Sequence, residues 1–269
     1  MTEADALSTA LADLVHDAGA IVMHIYESPR IDARLKRDAS PVTLADERAE
    51  EFLLEGLARL LPGVPVIAEE SVAKGVVPAH GAAFLLVDPL DGTREFIARS
   101  GEFTVNVALI DNGAPVAGAI GAPALSRLWR GGGTAFTASA PRGFPVAPDV
   151  WRPIAVRKRP AEGLRALASR SHGDPETERF LAGLPIAERI AAGSSLKFCR
   201  LAEGVADVYP RFGPTMEWDI AAGDAVLTAA GGAVTTPDGA RMLYGKRQED
   251  YRSGPFVAWG DPPAGTRLS

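Results

Sequence analysis

The sequence predicts a layered α/β fold, and three patterns support this prediction. Apolar residues recur at helical spacing in two segments near the N-terminus, and short apolar runs of strand length follow them. Helices and strands are then predicted to alternate in the second half of the chain. Elements in this order pack as layers, with helices covering the faces of sheets.

The first half of the chain contains two predicted helices and four predicted strands. An amphipathic helix covers residues 5–27, and a second helix begins near Thr43 and ends before Pro62 and Gly63. The four strands are predicted at 64–68, 84–87, 105–110 and 115–120. The last two strands flank the turn 111–113 (DNG), which predicts a β-hairpin.

The second half continues the alternation. Residues 131–159 are rich in glycine, proline, alanine and arginine, and they are predicted to be loops and one short strand that join two halves of one fold. Strands are predicted at 164–169, 207–211 and 233–236, and helices at 194–203 and 219–230. We expect a single fold in two packed halves, about residues 1–150 and 151–269.

Composition narrows the possible functions. The formal net charge of −6 over 269 residues argues against binding of a nucleic acid polymer, which requires a basic surface. The single cysteine, Cys199, cannot form an internal disulfide and lies in an apolar helical pattern. The N-terminus is acidic and no apolar run approaches membrane-spanning length. We therefore expect a cytoplasmic protein without a transmembrane segment; peripheral attachment to the inner membrane face stays open.

The segment 88–93 (DPLDGT) predicts a metal site. It follows a predicted strand, and Asp88 and Asp91 lie three residues apart across a turn, so their carboxylates can converge together with the Leu90 carbonyl. Oxygen ligands of this kind suit magnesium, whereas zinc prefers histidine and cysteine. The alternative is that the segment is an ordinary solvated turn.

Two further acidic sites favour the metal interpretation. Glu69 and Glu70 also end a predicted strand, and Asp219 lies at the start of a predicted helix, where it could simply be a helix cap. Three acidic sites at the ends of core elements repel one another unless a cation lies between them. A shared metal site explains all three.

These motifs resemble the inositol monophosphatase superfamily of metal-dependent, lithium-sensitive phosphomonoesterases. The matching segments are 67–71 (IAEES), 88–93 (DPLDGT) and 217–223 (EWDIAAG), in order along nearly the whole chain. The flanks 88–97 (DPLDGTREFI), 101–106 (GEFTVN), 193–199 (GSSLKFC) and 209–219 (YPRFGPTMEWD) resemble its 3'(2'),5'-bisphosphate nucleotidase branch, of CysQ type. Inositol monophosphatases usually carry Thr-Asn in place of Arg94 and Glu95, and the nucleotidase branch commonly carries lysine in place of Arg94.

The resemblance implies an αβαβα sandwich whose active site lies between the two halves. It implies two or three Mg²⁺ ions held by Glu69, Asp88, the Leu90 carbonyl, Asp91 and Asp219. It also implies that Thr93 helps to activate a water molecule, with Asp46 as the proton acceptor behind it. The alternative for Asp46 is placement in the first turn of a helix, where acidic residues are favoured.

The same resemblance implies the substrate contacts and the reaction. The expected substrate-binding residues are Gly92, Thr93, His172, Ser194, Lys197, Arg211 and Asp219. His172, Lys197 and Arg211 could instead be ordinary solvated side chains. The implied reaction is hydrolysis of 3'-phosphoadenosine 5'-phosphate to AMP and phosphate, in sulfur metabolism, by a monomer or homodimer.

Two other functions compete with this one. An inositol monophosphatase or a broad sugar phosphatase would share every metal ligand, so that only Arg94, Glu95 and the region of Lys197 and Arg211 discriminate. A non-catalytic regulator that binds metal or nucleotide is the more distant alternative, and the intact acidic set argues against it.

Overall fold

The structure is a computed structural model that describes residues 2–36, 41–169 and 174–266. Its α-helices are α1 (Glu3–Tyr26), α2 (Leu44–Leu60), α3 (Glu69–Ala73), α4 (Thr93–Ile97), α5 (Pro175–Ala182), α6 (Leu196–Ala202) and α7 (Trp218–Ala229). Its strands are β1 (Ala33–Leu35), β2 (Pro41–Thr43), β3 (Val66–Ala68), β4 (Phe84–Asp91), β5 (Thr104–Asp111), β6 (Ala114–Ala122), β7 (Arg127–Gly131), β8 (Ala135–Ser139), β9 (Arg152–Pro153), β10 (Leu164–Ser169), β11 (Ile186–Ala192), β12 (Val208–Arg211), β13 (Thr215–Met216), β14 (Ala233–Thr235), β15 (Arg252–Ser253) and β16 (Phe256–Trp259).

The first sheet has seven strands in the order β3-β4-β5-β6-β7-β8-β9. Only β3 and β4 pair in parallel; the other neighbours are antiparallel. The predicted hairpin is confirmed as β5 and β6. Asn112 and Gly113 both have positive φ, 50° and 78°, at its turn, which is the geometry that matches the twist of the strands.

The prediction for residues 131–159 was wrong in part. Strands β8 and β9 extend the first sheet across this region, where loops and one short strand were predicted, and β7 just before it was not predicted. Arg130 on β7 is only 6% exposed, with its guanidinium 4.2 Å from the Phe136 ring and 4.9 Å from the Trp151 ring. A buried arginine that stacks on aromatic rings breaks the apolar pattern by which the strand could have been identified.

Helices α1 and α2 cover one face of this sheet. Leu11, Val15 and Val22 of α1 and Leu53 of α2 are fully buried with residues of the sheet, such as Leu85. Both helices were predicted, and α1 begins with a capping box between Thr2 and Asp5. By length and composition α1 could also cross a membrane, but its packing in the core accounts for its apolar stripe.

The second sheet has five strands in the order β11-β10-β12-β16-β14. Helices α6 and α7 lie between the two sheets, and α5 packs on the outer face of the second. The layers are therefore α1/α2, first sheet, α6/α7, second sheet and α5, which confirms the predicted αβαβα architecture. The predicted strands near 164–169, 207–211 and 233–236 are present as β10, β12 and β14.

Helix α7 contributes to both halves of the chain. It belongs to the second half, yet it packs closely on the first sheet, where a Cβ added to Gly131 would lie 2.5 Å from the Ala225 oxygen and the Val226 Cα. The division at residue 150 stays a prediction. It falls before β9, which pairs with β8 of the first sheet.

Candidate active site

Most of the predicted site residues line one cleft of about 240 Å³, and Leu90 is buried behind it. The cleft is lined by Pro41, Glu69, Asp91, Gly92, Thr93, Arg94, Glu95, Gly193, Ser194, Lys197, Arg211 and Asp219. Asp46 and Asp88 lie behind its wall, each 1% exposed. His172 lies outside the described residues.

The end of β4 brings Asp88 and Asp91 to the same place. Pairing of β4 with β5 is regular up to Asp88 and resumes at Asp91, so the intervening residues form an irregularity in the strand. The Leu90 N–H donates to Asp88 Oδ1 at 3.0 Å. Gly92 then turns the chain into α4 with φ 91°, a conformation that favours glycine.

Asp46 joins the start of α2 to the start of α4. Its Oδ2 accepts hydrogen bonds from the Thr43 N–H and the Thr43 hydroxyl, both at 2.7 Å. Its Oδ1 accepts from the Thr93 hydroxyl at 3.1 Å. The two interpretations of Asp46 are therefore compatible, since one oxygen caps the helix and the other faces Thr93. Burial raises the pKa of Asp46, although the bonds from Thr43 and Thr93 oppose the shift.

The carboxylates around the cleft perturb one another. Burial, with the charges of Glu69, Asp91 and Asp219, raises the pKa of Asp88 well above its usual value. Burial also raises the pKa of Glu69 to about 8, against the nearby charge of Lys36. The pKa of Asp219 is raised by burial and by Asp91. Like charges held this close favour either protonation or a cation.

Lys36 supplies part of that positive charge, and the sequence analysis did not identify it. Its Nζ lies 2.5 Å from Glu69 Oε1 and 2.6 Å from Glu70 Oε1, and its side chain is only 9% exposed. Lys36 lies in the basic stretch 34–37 far from the acidic motifs. No local pattern distinguishes it there from a solvated lysine.

Glu50 is a second residue that the sequence analysis missed. It lies one turn after Asp46 on α2 and is 4% exposed. Its Oε2 accepts from the Glu70 N–H and its Oε1 accepts from the Ser71 hydroxyl, both at 2.7 Å. Glu50 thus fixes the first turn of α3, which begins with Glu69. Its spacing from Asp46 was the only available signal.

Two serines of the second half bond to Asp91 of the first. The Ser194 and Ser195 hydroxyls donate to Asp91 Oδ2 at 2.7 and 2.9 Å. Ser195 also lies 3.1 Å from the Asp219 carbonyl oxygen. The predicted helix start at Ser194 was early, because Ser194 has φ 52° and α6 begins at Leu196. The serine pair therefore connects the acidic residues of both halves.

Two basic residues, Lys197 and Arg211, line the same cleft. Lys197 is buried, and its Nζ donates to the carbonyl oxygens of Ser194 at 2.7 Å and Ala192 at 3.3 Å. Arg211 Nη2 donates to the Pro214 carbonyl oxygen at 2.7 Å. Asp219 Oδ2 accepts from the Thr215 hydroxyl at 2.6 Å. Lys197 and Arg211 are therefore anchored in the wall of the cleft and are not freely solvated.

The donor chemistry of the cleft fits magnesium. The proposed ligands all offer oxygen, which is what this ion prefers, and buried carboxylates whose charges raise one another's pKa favour a cation between them. Within residues 2–36, 41–169 and 174–266, no three acidic, histidine or cysteine side chains enclose an ion-sized position. Lys36 instead pairs with Glu69 in this conformation. The ligand set stays a proposal.

The fold and the acid-lined cleft define the class of protein. A family model described as the inositol monophosphatase family matches residues 3–258, and the chain therefore belongs to this family, as its motifs predicted. The 3'(2'),5'-bisphosphate nucleotidase CysQ of Escherichia coli strain K12 is 41% identical over 245 residues, covering 91% of this chain and 96% of the relative. The protein of the same name from Buchnera aphidicola is 37% identical, covering 87% and 86%.

Solved structures agree with this family. CysQ from Bacteroides thetaiotaomicron, a bacterial member of the inositol monophosphatase family, superposes with a TM-score of 0.80 at 36% identity, over 96% of this chain and 98% of that chain. An inositol monophosphatase from Zymomonas mobilis has a TM-score of 0.75 at 23% identity, over 97% and 95%. The second likeness shows a common fold.

Proposed function

We propose that this protein is a 3'(2'),5'-bisphosphate nucleotidase that hydrolyses 3'-phosphoadenosine 5'-phosphate to AMP and inorganic phosphate. The observation that carries the proposal is its similarity, 41% over 91% of the chain, to a relative of that name. The cleft supports it, because its lining combines the acidic residues Glu69, Asp91 and Asp219 with the basic residues Lys197 and Arg211. A substrate with two phosphate groups matches such a lining, since one phosphate could bind to metal ions and the other to the basic side chains.

The acidic residues of the cleft would hold the cofactor. Glu69, Asp88, the Leu90 carbonyl, Asp91 and Asp219 are the proposed ligands of two or three Mg²⁺ ions. When bound, magnesium supplies positive charge for the phosphate oxygens and makes water more acidic. Lithium sensitivity, which the family resemblance implies, is part of this proposal.

Thr93 and Asp46 would move the proton of the attacking water. The Thr93 hydroxyl donates its hydrogen to Asp46 Oδ1 at 3.1 Å, which leaves the hydroxyl oxygen able to accept a proton from water. The buried Asp46 has a raised pKa, so it holds the proton better than an exposed aspartate would. Direct attack by water then releases phosphate without a covalent phosphoenzyme.

The basic residues Lys197 and Arg211 would bind the phosphate that does not react. Lys197 and Arg211 are both held by backbone carbonyls, so their positive charges are already in place before substrate arrives. Preorganised charge of this kind favours a dianion without the cost of ordering flexible side chains. His172, Ser194 and the Gly92–Thr93 turn are proposed as additional substrate contacts.

A comparison of three substrates tests the proposal. Phosphate release would be measured with Mg²⁺ for 3'-phosphoadenosine 5'-phosphate, inositol 1-phosphate and fructose 1,6-bisphosphate, with and without lithium. We expect kcat/KM for the nucleotide to exceed the others by about a hundredfold or more, roughly 2.7 kcal/mol of transition-state discrimination. Equal or faster turnover of inositol 1-phosphate would move the assignment to the monophosphatases.

Arg211→Ala separates nucleotide recognition from the metal chemistry. The variant should weaken hydrolysis of the nucleotide far more than residual hydrolysis of inositol 1-phosphate, because only the nucleotide has a second phosphate. Arg200→Ala is a matched control, since Arg200 is an exposed arginine of α6. Equal losses for both substrates would contradict the proposed role of Arg211. A cytoplasmic location and a role in sulfur metabolism belong to the same proposal.

A further inference from the structure

Asn106 is a buried amide without a hydrogen-bond partner. It lies in β5 and is 1% exposed. Neither its Nδ2 nor its Oδ1 has a partner among residues 2–36, 41–169 and 174–266. Leaving a buried polar group unpaired costs about 1–3 kcal/mol. A valine, like its neighbours Val105 and Val107, would avoid that cost.

The position of Asn106 in the sheet places its amide beside Asp88. Asn106 pairs directly with Asp88 on β4 and with Ile120 on β6. Residues paired in this way project from the same face of the sheet, with Cβ atoms about 4.5–5.5 Å apart. Asn106 and Asp88 are therefore neighbours on one face.

That face is the one covered by α7. Gly118 lies two residues before Ile120 on β6, and a Cβ added there would lie 2.8 Å from the Ala225 Cβ. Because side chains two apart on a strand share a face, Asn106 points toward the layer that carries Asp219. The amide thus lies beside Asp88, one of the proposed magnesium ligands.

We propose that Asn106 is a positioning residue for Asp88, to which its amide donates a hydrogen bond in the magnesium-loaded protein. The inference rests on the proposed function of the cleft. Asp88 Oδ1 accepts one bond, from the Leu90 N–H, and a carboxylate offers about four acceptor positions. Hydrogen bonds to ligand carboxylates fix their orientation, and losing one typically costs 10–100-fold in metal affinity.

Two variants and one control test the inference. Asn106→Val removes both unpaired atoms and keeps a strand-favouring side chain, while Asn106→Ser keeps a hydroxyl donor. Thr235→Val is the control, because Thr235 is an equally buried polar residue, 1% exposed, on the second sheet. The readouts are the thermal midpoint in EDTA and the Mg²⁺ concentration that raises each variant's midpoint by a fixed amount above its EDTA value, because the stabilisation follows RT ln(1 + c/Kd), where c is the Mg²⁺ concentration, and has no plateau.

We expect Asn106→Val to unfold in EDTA at or above the wild-type midpoint, since it removes unpaired polar atoms. The Mg²⁺ concentration that it needs for the fixed rise in midpoint should increase about 10–100-fold, with Asn106→Ser in between and Thr235→Val unchanged. A wild-type magnesium requirement in Asn106→Val would overturn the inference. So would a large loss of stability in EDTA for both Asn106 variants, because the amide would then serve the fold and not the metal centre.

The wild-type protein separates this inference from the function on which it depends. A magnesium-dependent rise in the wild-type midpoint, combined with an unchanged requirement in Asn106→Val, would refute only the role of Asn106. No rise in the wild type would refute the metal centre itself and the inference with it.

Discussion

The hydrogen bonds of Asp46 connect the cap of α2 to Thr93, its partner in the proposed reaction. One oxygen accepts two bonds from Thr43, so the side chain cannot rotate without breaking the cap of α2. The other oxygen accepts the hydroxyl of Thr93. Because the first pair fixes the direction of the second bond, the proposed proton acceptor is already oriented before substrate binds.

Thr93→Val should therefore remove the proton path with little effect on the fold. We expect kcat for phosphate release to fall by about 10²–10⁴-fold, the usual contribution of positioned acid–base groups. Thr43→Val is the matched control, because it removes the other hydroxyl that donates a hydrogen bond to Asp46, the one that belongs to the helix cap. It should cost about 1 kcal/mol of stability and much less activity. A wild-type rate in Thr93→Val would exclude the proposed role of the hydroxyl.

Asp224 makes stability depend on pH at a position outside the cleft. Burial raises its pKa to about 6, against hydrogen bonds from Thr228 and Tyr244 and the charge of Arg241. The folded state therefore holds this proton more tightly than the unfolded state does. Between about pH 4 and pH 6 the unfolded chain loses the proton first, so stability falls as pH rises through this interval.

Asp224→Asn should abolish this contribution. Relative to the wild type, the free energy of unfolding of the variant should rise by about 2–3 kcal/mol between pH 4 and pH 7, since one pKa unit corresponds to about 1.4 kcal/mol. Urea unfolding at several pH values measures the difference. Thr228→Val, which keeps the carboxylate, should retain the pH dependence. A constant difference between Asp224→Asn and the wild type would contradict the expectation.

Among the secondary-structure elements, helix α7 can pack this closely on the first sheet only because the sheet carries glycine at the point of contact. A Cβ at Gly131 would meet the backbone of Ala225 and Val226 at 2.5 Å, and backbone atoms cannot move aside as a flexible side chain can. The close approach brings the start of α7, with Asp219, toward the end of β4, with Asp88. Glycine on the sheet is thus one cause of the geometry of the site.

Gly131→Ala should force α7 away from the sheet and destabilise the protein by about 1–3 kcal/mol or more, the usual cost of overpacking. Denaturant unfolding measures this change directly. Gly81→Ala is the comparison, because no atom lies within 4 Å of a Cβ at Gly81; a surface change of this kind should stay within about 0.5 kcal/mol. Equal stability of the two variants would show that α7 tolerates the added methyl group.

The elements differed in how well they could be predicted. Helices α1 and α2 and the hairpin β5–β6 have long periodic patterns or a strong turn signal, and their positions were predicted within a few residues. Strand β11 was not predicted, because it is an edge strand whose residues Glu188 and Arg189 are exposed. Partial exposure removes the continuous apolar run that identifies a buried strand.

The fold of the whole molecule explains which site residues could be predicted from the sequence and which could not. Asp88, Asp91 and Asp219 stand in motifs that can be recognised along the chain. Lys36 and Glu50 act through contacts with residues about 20 to 33 positions away, and their significance depends on how α2 and α3 pack. Asn106 belongs to the segment 101–106 (GEFTVN). That its amide lacks a hydrogen-bond partner among the described residues can be seen only in the folded sheet.

The bonds from Ser194 and Ser195 to Asp91 have a further consequence for the gene. A coding sequence could be divided after Ala161, in an exposed connection. The first product would contain Asp91 but neither serine and no α7. The second product would contain both serines and α7 but not Asp91. Each product would leave uncovered a surface that the other buries. The two would have to meet in the same cell to restore the acidic cluster, so phosphate release would report their encounter.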